Sequence, residues 1–268
     1  MTVAALQMTS GTDAGANVET ARRLLAEAAA SGARVAVLPE NFALMARDAA
    51  ERRAIAETHG DGPIQTAMST AARELGLWVI AGTLPLRLPG EPRFAQALLV
   101  YDDTGREVAR YDKIHLFDVD VPGAVESHRE SASMCPGQTV VSVDTPVGRV
   151  GLAICYDLRF PELFRQLSAA GATWFVLPAA FTVPTGRAHW EVLLRARAIE
   201  NLAGMVAAGQ WGHHDNGRET YGDSLVINHW GEVLARRAAG EGVVIATFDA
   251  AAQRAARAAF PALAHRVL

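Results

Sequence analysis

Cys155 stands where a fold could present a reactive side chain. An apolar run of strand length, from Val150, ends at Cys155, and Pro161-Glu162 open a segment with the pattern of an amphipathic helix. A thiol between a strand end and a helix start is held by the sheet and lies near backbone N–H groups that favour negative charge. The segment predicts a nucleophile, although a free cysteine after Leu-Ala-Ile is equally typical of a small buried hydrophobic residue.

Glu40 and Lys113 supply two groups that a thiol nucleophile needs. Glu40 follows the apolar run from Val35 to Leu38, at a predicted strand end, and partly apolar surroundings would raise the pKa of its carboxyl. Lys113 follows another predicted strand, where its charge would lower the thiol pKa from about 8.5 and stabilise an oxyanion. The alternatives are a helix cap or surface ion pair for Glu40 and a solvated head for Lys113.

Other motifs give no support for cofactor or metal chemistry. The sequence has neither a Gly-x-x-x-x-Gly-Lys phosphate loop nor a Gly-x-Gly-x-x-Gly after its first predicted strand. Gly222 to Val226 only approaches a serine-nucleophile elbow. His213-His214-Asp215 is a weak metal motif, because adjacent histidines do not easily face one ion. We therefore predict no cofactor and no metal.

The amino-acid composition limits the classes of partner and the cellular compartment that we expect for this chain. The 268 residues are 50% hydrophobic and 20% charged, with a net charge of -4 and no basic block, which argues against nucleic acid or an anionic membrane as partner. No apolar run is long enough to span a bilayer. The first residues resemble a strand more than an export signal, and Cys135 and Cys155 do not make a disulfide scaffold. These features predict a cytoplasmic protein.

Short apolar runs alternate with helix-period segments along the whole chain, which predicts an α/β fold in a single domain, residues 1–268. Two hairpins are expected, one turning at Asp103-Thr104-Gly105 and one across Thr145 to Gly148. Further predicted elements are helices at 17–30, 64–75 and 186–202, a helix beginning at Pro161, and strands at 140–143, 224–228 and 243–248.

The motifs around these residues resemble the nitrilase superfamily of carbon–nitrogen hydrolases, in order over nearly the whole chain. They are Leu38-Pro39-Glu40, Tyr111 to Asp118, Gly151 to Leu163 and Ala188 to Glu200. The resemblance implies a Glu40–Lys113–Cys155 triad. It also implies a second glutamate in the His128-Arg129-Glu130-Ser131 loop, for which we prefer Glu130 and keep Glu126 as the alternative.

Within the superfamily, Ala188 to Glu200 and Ala207-Ala208-Gly209-Gln210 are most similar to the branch that hydrolyses deaminated glutathione, with ω-amidases as near neighbours. The resemblance implies a four-layer αββα sandwich of the nitrilase type and a homodimer. The chain departs from the family pattern at Gly222-Asp223-Ser224 and at Asn228-His229-Trp230-Gly231. These departures put the substrate and the dimer contacts in question more than the chemistry.

The expected reaction is hydrolysis of a small carboxamide through a thioester on Cys155. Glu40 would act as the base, and Lys113 and the Tyr156 backbone N–H would hold the oxyanion. The guanidinium for an acidic substrate would come from Arg159, or else from one of Arg187, Arg195 and Arg197, of which the last two cannot both face the core. The alternatives are a papain-like thiol hydrolase with His115 or His189 as base, and a catalytically silent binding protein of the same fold.

Overall fold

The computed structural model describes residues 2–120 and 127–267, so Glu126 lies outside the described residues. The described helices are α1 Ala14–Ala30, α2 Ala49–Ala54, α3 Pro63–Leu75, α4 Pro161–Ala169, α5 Val183–Asn201 and α6 Ala250–Ala259. The described strands are β1 Thr2–Gln7, β2 Val35–Val37, β3 Trp78–Ile80, β4 Leu84–Leu88, β5 Glu91–Tyr101, β6 Glu107–Asp112, β7 Asp118–Asp120, β8 Ser127–Arg129, β9 Met134–Cys135, β10 Ser142–Thr145, β11 Gly148–Leu152, β12 Trp174–Ala179, β13 Gly204–Gly209, β14 Trp211–His213, β15 Glu219–Tyr221, β16 Ser224–Ile227, β17 Val233–Arg237 and β18 Gly242–Thr247. Single 3₁₀ turns span Glu130–Ala132 and Cys155–Arg159.

Two mixed sheets form the centre of the molecule. Sheet I has the order β18-β1-β2-β3-β5-β4, with β6 and β9 also paired to β5, and sheet II has the order β10-β11-β12-β13-β16-β17. Strands β1, β2 and β3 run parallel in sheet I, and β11, β12 and β13 run parallel in sheet II. Each sheet therefore gathers the carboxyl ends of three buried strands at one edge, which is where reactive groups collect in α/β folds.

Alternating side chains of β1 show how the layers stack. Ala4 and Leu6 belong to a core shared with Leu24 of α1 and Met68 of α3. Their neighbours Val3 and Ala5 point to the other face of the strand and join the core that contains sheet II and helices α4 and α5. The layers are helices, sheet I, sheet II and helices, which confirms the predicted αββα sandwich.

Most of the predicted elements are present, with shifted boundaries. Both predicted hairpins form, as β5–β6 and β10–β11. Helix α5 begins at Val183, three residues before the expected start, because Pro184 fits the first turn of a helix. Strand β10 lies two residues later than predicted. Helix α6 was not predicted; its N-cap is Asp249, whose carboxylate accepts hydrogen bonds from two backbone N–H groups of the first turn.

None of the helices within residues 2–120 and 127–267 is long and apolar enough to cross a membrane.

Candidate active site

Cys155 sits on a sharp turn directly after β11. Its φ is +46°, in the left-handed region that residues other than glycine rarely occupy, and it opens the 3₁₀ turn that precedes α4. Asp157 braces this turn. Its carboxylate accepts hydrogen bonds from Ile154 N (2.8 Å), the Tyr111 hydroxyl (2.7 Å) and His115 N (3.1 Å). The turn that carries Cys155 is therefore held in place by Asp157, and Cys155 itself is 8% exposed.

Glu40 and Lys113 meet beside this turn, although 73 residues separate them in the chain. Glu40 lies just beyond β2 and Lys113 just beyond β6, and they are 2% and 1% exposed. Lys113 Nζ donates to Glu40 Oε1 at 2.9 Å. The Ala180 N–H at the end of β12 donates to Glu40 Oε2 at 3.0 Å, and the Gln210 amide donates to the Glu40 carbonyl at 3.1 Å. Glu40 is thus held by groups from both sheets.

Glu130 is the second carboxylate on Lys113. Lys113 Nζ lies 2.8 Å from Glu130 Oε2 and 3.1 Å from Oε1, and the Phe117 N–H also donates to Oε2 at 2.8 Å. The structure therefore brings the sequence-predicted Glu130 together with Glu40 and Lys113.

The Glu40 carboxylate, the Lys113 ammonium and the Ala180 N–H all affect the pKa of the buried Cys155 thiol. Burial and the charge of Glu40 raise the thiol pKa well above its ordinary value, and the opposing effect of Lys113 is smaller. Lys113 lowers the thiol pKa, as predicted, but burial and the charge of Glu40 outweigh it, so the net shift is upward. The resting group is a thiol that needs a base, and the Glu40 carboxylate lines the same cavity.

Charge pairing fixes the protonation of Lys113 and Glu130. Burial lowers the pKa of the Lys113 ammonium, but Glu130 and Glu40 together raise it well above its ordinary value. Burial raises the pKa of the Glu130 carboxyl, and the charge and hydrogen bonds of Lys113 outweigh that effect and lower it. The site therefore keeps a charged ammonium beside a neutral thiol.

A cavity of about 400 Å³ opens over these residues. Its floor includes Glu40, Glu130 and Cys155, and its walls include the rings of Phe117, Tyr156 and Phe181. Its size and mixed apolar and charged lining are typical of a site for a small organic molecule.

Five arginines line this cavity: Arg47, Arg52, Arg129, Arg159 and Arg218. Of the arginines named from the sequence, Arg159 is among them. Its guanidinium lies 5.9 Å from the centre of the Tyr156 ring and 5.6 Å from that of Phe181, and it contacts His189 Nδ1 at 3.2 Å.

The other three arginines named from the sequence lie away from the cavity lining. Arg187 is exposed, Arg195 donates to the Gly231 carbonyl, and Arg197 is buried against the Leu158 carbonyl. Arg195 and Arg197 take opposite faces of α5, as periodicity predicted. No local pattern pointed to Arg52 or Arg218, because Arg52 lies on a six-residue helix and Arg218 in a short hairpin loop.

The two histidines considered as alternative bases have other contacts and do not line the cavity. His115 Nδ1 lies 2.7 Å from Asp157 Oδ1, and its ring stacks on Phe160 at 3.7 Å. His189 contacts Arg159. Among the described residues, no group of three or more His, Cys, Asp or Glu side chains could hold a metal ion.

The chain is similar to known proteins over most of its length. The carbon–nitrogen hydrolase family model matches residues 2–258. Deaminated glutathione amidase of Yersinia enterocolitica is 39% identical over 98% of this chain and 92% of its own length, and that of Homo sapiens is 42% identical over 98% and 81%. The crystal structure of Saccharomyces cerevisiae Nit3, a member of branch 10 of the nitrilase superfamily, superposes with a TM-score of 0.88 at 26% identity, covering 97% of this chain and 94% of that one.

Proposed function

The chain belongs to the carbon–nitrogen hydrolase family, and from that membership we propose that it is an amidase that works through a thioester on Cys155. The observation that carries the proposal is that the buried Cys155 thiol shares one cavity with the Glu40 carboxylate, which is itself bound to the Lys113 ammonium at 2.9 Å.

In the first half-reaction, Cys155 Sγ attacks the amide carbonyl carbon as its proton passes to Glu40. The oxyanion of the tetrahedral intermediate is stabilised by the Lys113 ammonium and the backbone N–H of Tyr156. Glu40 then gives the proton to the amide nitrogen, the C–N bond breaks, and an amine leaves. The acyl group stays on sulfur as a thioester.

In the second half-reaction, Glu40 takes a proton from water, whose oxygen attacks the thioester carbonyl. The C–S bond breaks, the acid leaves, and the proton on Glu40 returns to the sulfur. Glu130 keeps Lys113 charged throughout and helps to hold its ammonium in place. Arg159 helps to hold the substrate at the wall of the cavity.

The substrate that we propose is deaminated glutathione, on the strength of the relatives that carry that activity in their names. Because this compound is a peptide without a free amino group, the leaving group is a primary amine and its release is directly measurable. An ω-amidase acting on α-keto acid amides, which would release ammonia, is the second candidate.

The test compares Cys155→Ala with Cys135→Ala, the other free cysteine of the chain. Cys155→Ala should abolish the release of primary amine from deaminated glutathione, and Cys135→Ala should leave it unchanged. α-Ketoglutaramate, assayed for ammonia alongside, separates the two candidate activities. Turnover that survives in Cys155→Ala, with circular dichroism unchanged, means that the nucleophile is assigned wrongly. A wild-type protein that cleaves neither amide would favour the silent binding protein.

We also propose that the chain acts as a single-domain homodimer in the cytoplasm. Val192 and Ile199 of α5 are exposed apolar residues, and so are Trp230 and Phe260, whose rings lie 6.1 Å apart. An interface over this surface would remove these side chains from water. Two unpaired cysteines are compatible with a reducing compartment.

A further inference from the structure

Arg52 is an unusual member of the cavity wall, because it makes no ion pair with any described residue. Its Nε atom is buried and makes no hydrogen bond within the part of the chain that the structure describes. Two other cavity arginines are engaged: Arg47 with Glu51 at 2.7 Å, and Arg129 with Asp120 at 2.9 Å. A buried polar group without a partner is destabilising, so its presence at a ligand cavity indicates that the ligand supplies the partner.

Arg218 adds a second positive charge near the first. It lies in the loop between β14 and β15, lines the same cavity, and its Nη1 makes only a weak 3.7 Å contact with Met45 Sδ. Burial lowers the pKa of the Arg52 guanidinium and the charge of Arg218 lowers it further, while Glu130 raises it. Two like charges close together are repulsive until an anion lies between them or beside them.

The carboxylates on the cavity floor do not fill this role, since Glu40 and Glu130 are both bound to Lys113. Arg159 is also differently placed, over two aromatic rings and against His189. Arg52 and Arg218 are therefore cavity arginines that make no ion pair with a described residue, and neither is among the groups assigned to bond cleavage.

We propose that Arg52, with Arg218 beside it, binds a carboxylate of the substrate and restricts the enzyme to acidic amides. The planar guanidinium presents two N–H groups that match a carboxylate, an arrangement that lysine cannot reproduce. This inference rests on the proposed amidase function and extends it, because it assigns the selection of acidic substrates to residues that have no part in the thioester chemistry.

The test combines two measurements on Arg52→Met, Arg52→Lys and the control Arg53→Met, whose side chain is the exposed neighbour on the same helix. The first is kcat and KM for deaminated glutathione. The second is alkylation of Cys155 by iodoacetamide, followed by peptide mass spectrometry, with and without glutarate as a dicarboxylate probe and neutral glutaramide as its comparison.

Arg52→Met should raise KM by about 10- to 100-fold, the loss of one charge-assisted contact, with kcat nearly unchanged. Glutarate should protect Cys155 in the wild type but not in Arg52→Met, while the rate of alkylation without glutarate stays the same. Arg52→Lys should give an intermediate KM, and Arg53→Met should match the wild type.

The inference is overturned if Arg52→Met lowers kcat without raising KM, or if glutarate protects that variant as well as it protects the wild type. Absence of turnover by the wild-type protein refutes the proposed substrate instead, and the glutarate experiment still decides the role of Arg52. Thermal melting of each variant shows whether a change reflects loss of folding.

Discussion

Replacing Glu130 with glutamine removes one of the two negative charges on Lys113 while keeping an oxygen that can accept from the Phe117 N–H. At 2.8 Å the Lys113–Glu130 attraction is about 6 kcal/mol for an effective dielectric constant of about 20. Dehydration of both groups offsets most of this, and Lys113 keeps Glu40 at 2.9 Å. We therefore expect the free energy of unfolding to fall by about 1–3 kcal/mol, less than the roughly 3–5 kcal/mol lost when a buried charge keeps no partner.

The same change should slow catalysis. Without the negative charge of Glu130, only Glu40 still pairs with Lys113, so the ammonium is held less firmly where the oxyanion would form. We expect kcat to fall by about 10- to 100-fold, less than or equal to the typical effect of removing one oxyanion-stabilising group. Steady-state release of primary amine measures kcat, and urea unfolding measures stability. Glu162→Gln, on the exposed side of α4, is the matched control and should change neither quantity.

The effect of Glu130→Gln on stability should depend on pH in a defined direction. Because Lys113 holds the pKa of Glu130 below its ordinary value, the stability from this pair is present above about pH 4.3 and is lost as the pH falls through the lowered, folded-state pKa. The stability difference between the wild type and Glu130→Gln should therefore shrink progressively below about pH 4. A variant with wild-type kcat and wild-type stability would mean that Glu130 is only a loop acid.

Two further predictions concern Glu40, the proposed base, and Tyr111, whose hydroxyl donates to Asp157 beside Cys155. Glu40→Gln should lower turnover by at least about 100-fold, yet speed iodoacetamide alkylation of Cys155 at pH 8, because the charge that raises the thiol pKa is removed while Lys113 stays; slower alkylation would contradict this assignment. Tyr111→Phe should lower the urea-derived free energy of unfolding by about 1.5–3 kcal/mol, because the buried Asp157 carboxylate loses a 2.7 Å donor. Tyr101→Phe is its control and should cost almost nothing, since that buried hydroxyl has no partner among the described residues.

The sequence was informative where function follows the end of a strand. Cys155, Glu40 and Lys113 each follow a predicted strand, and parallel or neighbouring strands bring such ends together, so all three could be expected in one place. The mixed α/β class followed from the apolar runs, because strands that are apolar on both faces must be covered on both sides, whereas the αββα layering was implied by the resemblance to the nitrilase superfamily.

The properties of the site that the sequence could not predict depend on distances between segments that are far apart in the chain. The thiol pKa is set by a balance between Lys113, Glu40 and burial, and only three-dimensional contacts show which of them prevails. Arg52 stands out because its buried Nε atom has no hydrogen-bond partner among the described residues, and no sequence pattern predicts such a property.

The residues that we propose as the reacting groups are divided between the two sheets. Glu40 and Lys113 extend from sheet I, Cys155 and Ala180 extend from sheet II, and the Ala180–Glu40 hydrogen bond joins the two sides. A shear of one sheet against the other by about 1 Å would separate thiol from carboxylate and cost roughly 100-fold in rate, while every strand kept its own ladder of hydrogen bonds. Catalytic activity is therefore more sensitive to the alignment of the two sheets than any measure of secondary structure is. Substitutions far from the cavity can abolish activity without unfolding the protein.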